Sequence, residues 1–481
     1  MVLTWLDYLV IAGYLVAITA FGSWFAQFQK TTRDYFLTDR SVPWWAICFT
    51  IVATETSTLS FIGVPAGAYA GNMTFLQLAL GYIVGRMLVS VLFLPAYFRG
   101  ELFTSYELLN RRFGAPVKNT AAVIFIITRT LADGIRLFAT ALVITVVTHV
   151  PVDVTVILLG AAMIVYTVRG GVSAVIWTDV VQMFIYIAGA LVVFVGLLHQ
   201  IPGGWGEVVR TAGGAGHFQI LDFSTDPHQV YTFWAGLIGG VALTLATHGT
   251  DQFLVQRLLS ARSSAQAATG LVLSGVIVFA QFTLFLIIGA MLFTFYQHVP
   301  LPRALASNDE ILPLFIVTSL THGAAGFIVA AIVAAALSPS INALAATTVN
   351  DFYKPYFRPD ADEEQLMRIS KGATVFWGVA QIGVALAAQY VTKSVLDSGL
   401  GVLSLAAGPV LGAFLCGVLG TRVQSRAMLA GMLAGTAAVA WAWATGAFAW
   451  TWYAFIGASI TSLVALGLSF VLPRTRGDAA A

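Results

Sequence analysis

The stretch IVATETSTLSFIGVPAGAYAGN, from Ile51 to Asn72, lies inside a long apolar segment and interrupts it. It contains a run of hydroxyl side chains and a glutamate, followed by several glycines and Pro65. Proline removes a backbone donor and clashes one turn back, and glycine loosens a helix, so the sequence predicts a helix break within residues 56–65. At membrane depth, an open backbone is tolerated only where protein or a water-filled cavity satisfies it. The stretch therefore indicates a membrane helix that is broken beside a cavity.

The rest of the chain is a succession of apolar stretches. Of its 481 residues, 58% are hydrophobic and 10% are charged. About thirteen runs are long enough to cross a bilayer, at roughly 20 residues each. This composition excludes a water-soluble domain and predicts an all-α membrane protein with a single transmembrane domain over residues 1–481. The predicted spans are 5–25, 44–72, 74–98, 119–149, 152–168, 177–199, 232–257, 266–297, 322–349, 369–391, 396–420, 426–447 and 450–473.

The cationic side chains predict an orientation. Most of the 24 Lys and Arg residues lie in alternate gaps between the spans, whereas the opposite gaps hold Arg210, Arg303 and Lys393. This asymmetry is the positive-inside pattern. It predicts an external N-terminus and a cytoplasmic C-terminus, in the plasma (inner) membrane. The net charge of +2 comes from the cytoplasmic loops and gives no indication of nucleic-acid binding.

A second interrupted span lies five spans after the first. In the span 232–257, the sequence LATHGTDQF, from Leu245 to Phe253, breaks an otherwise apolar run. Two broken helices in corresponding halves of a chain indicate the midplane binding site of a secondary transporter. Five helices from the first break and five from the second predict an inverted repeat, with core repeats near 44–199 and 232–420. One leading helix and two trailing helices complete this prediction.

Five local motifs resemble, in order along the chain, those of the sodium:solute symporter family. The resemblance covers nearly the whole chain. It implies the LeuT-type inverted-repeat fold and the Na+-coupled, secondary active transport of a small organic solute. The motifs are TTRDYFLTDRSVPWW (31–45), TSYELLNRRFG (104–114), GGVSAVIWTDVVQMF (170–184), TDQFLVQRLLSAR (250–262) and SINALAATTVNDFY (340–353).

The resemblance also implies positions for Na+. The family's conserved sodium site takes carbonyl oxygens from the first broken helix, at positions that match Ala53 and Thr56. It takes two adjacent hydroxyls from the ninth span, at positions that match Ala335 and Ala336. Alanine has no hydroxyl, and this departure leaves three alternatives open. The protein binds Na+ with other ligands, couples to protons, or carries its solute without a coupling ion.

Three further residues are candidates for holding a coupling ion. Asp179 and Ser338 match an acidic residue and a hydroxyl that support an additional Na+ site in some family members. Glu55 is the candidate coupling carboxylate, because it could bind a cation or, since burial favours the neutral form of a carboxyl, a proton. Apart from Na+, these patterns imply no cofactor.

Three charged residues lie on one face of the fourth span. Arg129, Asp133 and Arg136 are spaced i, i+4 and i+7. Charge inside a membrane is costly and marks functional sites, although these residues could also form an internal ion-pair ladder. If Asp133 neutralises one arginine, the other is left to clamp a carboxylate. Arg129 and Arg136 are therefore candidate substrate-binding residues, and the resemblance to the family's sialic acid carriers favours a carboxylate-bearing anion.

Other candidates for substrate binding flank the two breaks. Asp251 lies where sugar-transporting members of the family place a substrate-binding amide, but it could equally cap the helix that follows the break. Ser60, Gln77, Gln252 and Phe253 are the remaining candidates for lining the cavity.

Competing classes of function have less support. The seven His are scattered, with His248 beside a break, and this pattern predicts neither a catalytic centre nor a metal-ligand set. The longest polar segments, 200–231 and 350–368, are too short for a signalling module. The sequence therefore predicts an alternating-access carrier, with a cavity lined by the second, third, fourth, seventh and eleventh spans. Its predicted partners are a small solute and the lipid bilayer, with no obligate protein partner. A membrane-embedded enzyme or sensor is the remote alternative.

Overall fold

The chain folds into helices joined by short loops. We describe it from a computed structural model that covers residues 4–99, 102–148, 150–305, 307–321, 323–336, 340–390, 395–420 and 422–472. The α-helices of this part are α1 (Trp5–Trp24), α2 (Thr32–Leu37), α3 (Trp44–Glu55), α4 (Thr58–Ala70), α5 (Leu76–Leu92), α6 (Leu94–Tyr97), α7 (Tyr106–Phe113), α8 (Ala115–Thr148), α9 (Val152–Gln200), α10 (Gly204–Gly214), α11 (Gly240–Gly249), α12 (Gln252–Leu259), α13 (Ser264–His298), α14 (Ile311–Ser319), α15 (Ala324–Ala336), α16 (Ile341–Thr347), α17 (Glu363–Ala388), α18 (Val395–Val418), α19 (Ser425–Thr445) and α20 (Tyr453–Val471).

The protein is a multi-pass membrane protein. Within the described residues, seven helical stretches are individually long and apolar enough to cross a bilayer, or eight if the bent pair α3 and α4 counts as one span. Two π-helical segments extend others: Ala235–Gly239 precedes α11, and Thr348–Phe357 follows α16. Each predicted span coincides with one or more of these helices. The number of thirteen spans stays a prediction.

The first broken helix consists of α3 and α4, which are bent by 59°. Thr56 and Ser57 lie between them with extended backbone, at ψ 101° and 168°. The side chain of Ser57 caps α4 by accepting from the N–H of Ser60 at 3.4 Å. The predicted position of the break is confirmed, but its expected cause is wrong because Pro65 lies inside α4. Threonine and serine side chains that offer the backbone alternative hydrogen bonds account for the break instead.

The second broken helix consists of α11 and α12, and its break is confirmed where the sequence predicts it. α11 ends at Gly249, and Thr250 and Asp251 leave the helical conformation. Asp251 then caps α12, since its Oδ1 accepts from the N–H of Phe253 at 2.9 Å. The helix-capping role considered for Asp251 is therefore observed.

The fifth and sixth predicted spans correspond to two helices that meet at a kink within α9, without a separate loop between them. Gly171 is its non-helical residue, at φ 56° and ψ −152°. A side chain there would be strained, and its Cβ would lie 2.6 Å from the carbonyl oxygen of Tyr35. Glycine thus bends the chain sharply enough to replace a connecting loop.

Helices from the two predicted repeats pack closely. In the range 44–199, α3/α4 is followed by α5 with α6, by α8 and by the two halves of α9. In the range 232–420, α11/α12 is followed by α13, by α15 with α16, by α17 and by α18. α5 lies directly on the chain at α11, where a Cβ on Gly81 would come 2.2 Å from the carbonyl oxygen of Gly236. Small residues permit this approach and bring the two breaks together.

Candidate functional site

A cavity of about 460 Å³ lies between the two helix breaks. Its walls come from α3, α4, α5, α7, α8, α11, α12, α13 and α18. A volume of this size is usual for a site that encloses a small molecule. The five spans predicted to line the cavity do so, and the eighth span joins them through Phe282 and Leu286.

One end of the cavity reaches the loops of the bundle. Asn72, Tyr231 and Trp450 line this end, which we call the mouth. All three residues lie at or beside gaps that the positive-inside pattern assigns to the external face. The cavity therefore opens toward the face that is predicted to be outside.

Glu55, the last residue of α3, joins the two breaks. Its carboxylate forms an ion pair with Arg86 on α5, whose side chain is fully buried. On the other side, Glu55 Oε1 lies 3.3 Å from Nε2 of His248, next to the end of α11. Both Glu55 and His248 line the cavity. If Glu55 is the coupling carboxylate, its ion pair with Arg86 would have to break before it binds the coupled ion.

Four charged side chains form a network along the cavity wall. Asp133 Oδ1 lies 3.5 Å from Arg129 Nη1 and 3.2 Å from Arg136 Nη2. Arg129 also forms an ion pair with Asp251, at the second break. The expectation that one arginine is left without a carboxylate is therefore wrong. The second carboxylate comes from the second helix break, 122 residues further along the chain.

The two arginines differ in how firmly the protein holds them. Arg129 contacts two carboxylates and lies over the ring of Phe253, at 4.7 Å from its centroid. Arg136 contacts the single carboxylate of Asp133, and a larger fraction of its side chain is exposed, 15% against 5% for Arg129. Of the two arginines, Arg136 therefore has more guanidinium N–H groups available to bind a ligand in the cavity.

Two further candidates for substrate binding also line the cavity. Ser60 does so from the first turn of α4, close to the first break. Phe253 does so from the first turn of α12, and the guanidinium groups of Arg129 and Arg257 lie 4.7 and 4.3 Å from the centroid of its ring. The structure thus places Ser60, Arg129, Arg136, Asp251 and Phe253 around one cavity.

Gln77 and Gln252 lie outside the set of residues that line the cavity. Gln77 bridges the loop before α11, because its Oε1 accepts from the N–H of Asp222 at 2.9 Å and its Nε2 donates to the carbonyl of Tyr231 at 3.3 Å. Gln252 is fully buried and accepts from the N–H of Ser105 at 2.7 Å. Their part in substrate binding stays a prediction.

The carbonyl positions matched to the sodium site lie at the end of α3. Ala53 is buried in its last turn, and Thr56 follows it in the break. Thr56 Oγ1 donates to the carbonyl of Val52 at 2.9 Å and accepts from Nε2 of Gln281 at 2.6 Å. The amide oxygen of Gln281 is buried, without a hydrogen-bond partner in the described part of the chain. This oxygen and the last carbonyls of α3, which lack intrahelical partners, are chemically suited to a hard cation.

The other positions matched to sodium sites are Ala335, Ala336, Ser338 and Asp179. Ser338 lies outside the described residues, as do the side chains at 335–336. Asp179 is fully buried, and its Oδ2 is 3.0 Å from Nη2 of Arg257 and accepts from Oγ1 of Thr50 at 2.6 Å. A cation at Asp179 would therefore compete with a guanidinium.

Some residues that line the cavity were not identified from the sequence. Tyr82 lies on α5, and Tyr106 on α7 packs against Phe125 with 5.6 Å between ring centroids. Tyr106 belongs to the motif TSYELLNRRFG, but a motif in a loop between spans gives no indication that it reaches the cavity. Its position depends on tertiary contacts.

The fold and the sequence match those of known transporters. A solved structure described as the substrate-bound outward-open state of a Na+-coupled sialic acid symporter superimposes with a TM-score of 0.90 at 27% sequence identity, covering 98% of both chains. The human sodium/iodide cotransporter is 31% identical over 446 residues, which are 90% of this chain and 69% of that protein. The human sodium-coupled monocarboxylate transporter 1 is 32% identical, over 90% of this chain and 72% of that protein.

These matches confirm the predicted all-α, LeuT-type fold class. The family model of the sodium:solute symporter family matches residues 35–435, which include both broken helices and the whole charged network. The chain therefore belongs to the sodium:solute symporter family.

Proposed function

We propose that the protein is a Na+-coupled symporter of a small organic anion that bears a carboxylate. The observation that carries this proposal is the cavity between the two breaks, with Arg136 on its wall. The names of three similar proteins point the same way, because iodide, monocarboxylates and sialic acid are all anions. In the proposed function, the protein transports the solute without changing it chemically.

Arg136 is the proposed anchor for the carboxylate. Guanidinium groups bind carboxylates in a planar, two-pronged geometry. Asp133 uses part of that capacity, and the cavity lies on the exposed side of the arginine. Arg129 pairs with both Asp133 and Asp251, and would thereby hold α8, which also carries Arg136, against the second break. Ser60 and Phe253 complete the proposed substrate site from the two broken helices.

The proposed Na+ site lies at the first break, at the end of α3. Carbonyl oxygens near Ala53 and Thr56 and the amide oxygen of Gln281 would hold the ion. Bound Na+ would add a positive charge at the break, and its gradient would supply the driving force for uptake. Because Ala335 and Ala336 offer no hydroxyls, these oxygens would have to replace the usual pair.

The second candidate is a carrier of the same fold that is coupled to protons or to no ion. Two observations favour it: the alanines at 335 and 336, and the engagement of Asp179 by Arg257. Glu55 would then be the proton-binding group, after separation from Arg86. The dependence of uptake on Na+ distinguishes the two candidates.

Alternating access is the proposed mechanism. The mouth would face outside, with the N-terminus outside and the C-terminus in the cytoplasm of a cell whose plasma (inner) membrane holds the protein. The repeats near 44–199 and 232–420 would then rearrange so that the cavity opens on the opposite face. The proposal includes one transmembrane domain without an obligate protein partner.

Uptake into proteoliposomes tests the proposed function. Labelled monocarboxylates, sialic acid and iodide are supplied outside, with an inward gradient of Na+ or of choline. We expect saturable, Na+-dependent uptake of at least one acid. Arg136→Ala should raise KM about tenfold or more, since hydrogen bonds to charged groups contribute roughly 1.5–3 kcal/mol.

Arg303→Ala is the matched control. Arg303 is exposed, pairs with Glu310 and is not among the residues that line the cavity. Uptake by this variant should therefore equal that of the unmodified protein. Unchanged uptake of every tested acid by Arg136→Ala would exclude the carboxylate anchor. Equal uptake in choline and in Na+ would favour the second candidate.

A further inference from the structure

A short, mostly buried segment, Leu102–Ser105, which we call the inner segment, directly precedes Tyr106 in the cavity lining and lies in a gap that the positive-inside pattern assigns to the cytoplasmic face, opposite the mouth. The N–H of Ser105 donates to Gln252 Oε1 at 2.7 Å, and Gln252 Nε2 donates to the carbonyl of Phe103 at 3.1 Å. The hydroxyl of Ser105 donates to the carbonyl of Thr250 at 3.0 Å. Three hydrogen bonds thus fasten the inner segment to the second helix break.

A fourth bond fastens the inner segment to Asp351, in the π-helical segment that follows α16. Thr104 Oγ1 donates to Asp351 Oδ1 at 3.0 Å. Lys118, at the start of α8, donates to the backbone carbonyl of Asp351 at 2.7 Å but stays 3.9 Å from its Oδ1. The ammonium also lies over the rings of Phe352 and Tyr356. The lysine is therefore engaged mainly by groups other than the carboxylate.

The carboxylate of Asp351 is poorly compensated for its burial. The residue is 3% exposed, and its Oδ2 is buried without a hydrogen-bond partner among the residues that the structure describes. Lys118 on α8 and Glu107 and Tyr106 on α7 are the titratable groups that act on it electrostatically. Burial raises the pKa of Asp351 to about 7, although the Thr104 bond and Lys118 oppose this.

We propose that Asp351 is a proton-binding site that favours the closed inner segment, and that opening of the cavity on this side releases one proton. The inference depends on the alternating access proposed above. In the closed state, the neutral acid costs less to bury than the anion does. When the inner segment lifts, water reaches the carboxyl group and favours its charged form.

The sign of the pH dependence follows from this difference. The closed state binds the proton more tightly than the open state, so protons favour closure. The opening equilibrium should fall by up to about tenfold for each pH unit below about 7, the limit for one released proton. Above that range both states are ionised, and the equilibrium should level off. The expected behaviour is thus closure on acidification of the side that the inner segment faces.

Hydrogen exchange of the purified full-length protein tests the proposal without any substrate. Mass spectrometry follows the peptide that spans residues 102–106, with rates corrected for intrinsic exchange at each pH. In the unmodified protein, we expect protection to increase as pH falls below about 7. Asp351→Asn mimics the neutral acid and should keep this peptide protected at every pH. Asp360→Asn, at an exposed aspartate in the following loop, should behave as the unmodified protein does.

Two results would overturn the proposal. One is a pH dependence that persists unchanged in Asp351→Asn. The other is an Asp351→Asn peptide that exchanges freely at every pH, which would make the carboxylate a structural acceptor. If Asp351→Asn does not fold, Thr104→Val replaces it: loss of its donor should move the midpoint upward in pH, and an unmoved midpoint would also exclude the site. Failure of the transport assay would leave these outcomes unaffected, so the two proposals can fail separately.

Discussion

Both helix breaks place polar residues inside an apolar span, but they differ in how the protein holds them. At the first break, Ser57 caps α4 through a long bond of 3.4 Å, and the residues around it line the cavity. At the second break, the hydroxyl of Tyr97 donates to the carbonyl of Gly249, and that of Ser105 to the carbonyl of Thr250. The first break leaves backbone groups for a ligand, whereas the second is fastened by the protein itself.

This difference separates two tasks. A bound ion and solute can satisfy the first break, because its polar groups face the cavity. In the proposed mechanism, the second break would have to exchange its protein partners when the inner segment moves. We therefore expect substitutions at the second break to change stability and the conformational equilibrium strongly, and those at the first break to act mainly on ligand binding.

The largest effect should come from Arg129→Ala. This change removes the cation shared by buried Asp133, which keeps its ion pair with Arg136, and half-buried Asp251, which loses its own. Removing one partner of a buried ion pair typically costs about 3–5 kcal/mol. Thermal unfolding in detergent should show a much lower midpoint than for Arg303→Ala, a control at an exposed arginine. An unchanged midpoint would mean that the network does not hold the second break.

An intermediate effect should come from Gln252→Ala. The N–H of Ser105 and the carbonyl of Phe103 would lose their partner in a buried site, at a cost of about 1–3 kcal/mol. Hydrogen exchange in residues 102–106 should accelerate because the closed inner segment is destabilised. The exposed Gln200, replaced by Ala, is the matched control. Equal protection in both variants would contradict the fastening role of Gln252.

The smallest effect on stability should come from Ser57→Ala. Loss of a helix N-cap costs about 0.5–2 kcal/mol, and the length of this bond places the expected value near the lower limit. The thermal midpoint should fall slightly, while the Na+ concentration for half-maximal uptake changes. A loss of stability larger than that of Gln252→Ala would reverse the comparison between the breaks.

The sequence was sufficient to predict the breaks but not their causes or their partners. Polar interruptions in apolar spans locate both breaks, because side chains such as Thr, Ser and Asp offer the backbone hydrogen bonds other than those of a helix. Pro65 was misleading, since α4 accommodates it nine residues after the first break. The gap between the predicted spans 152–168 and 177–199 contains Gly171, but hydropathy does not show that a single glycine with positive φ makes the turn there.

The charged network shows which part of the site could not be predicted from the sequence. The spacing of Arg129, Asp133 and Arg136 placed them on one face, which the structure confirms. The ion pair between Arg129 and Asp251 depends on the packing of two helices that are distant in sequence. The spacing of residues along one helix contains no information about that packing. The same reason applies to Arg86, whose pairing with Glu55 requires α5 to lie against the end of α3.

The close contact between Gly81 and Gly236 constrains how the two halves of the chain can swing. There, the backbone of a helix in one predicted repeat contacts the backbone of the other predicted repeat, because glycine has no side chain to separate them. These neighbours should therefore travel as a single rigid block, so that the moving boundary cuts across both repeats instead of running between them.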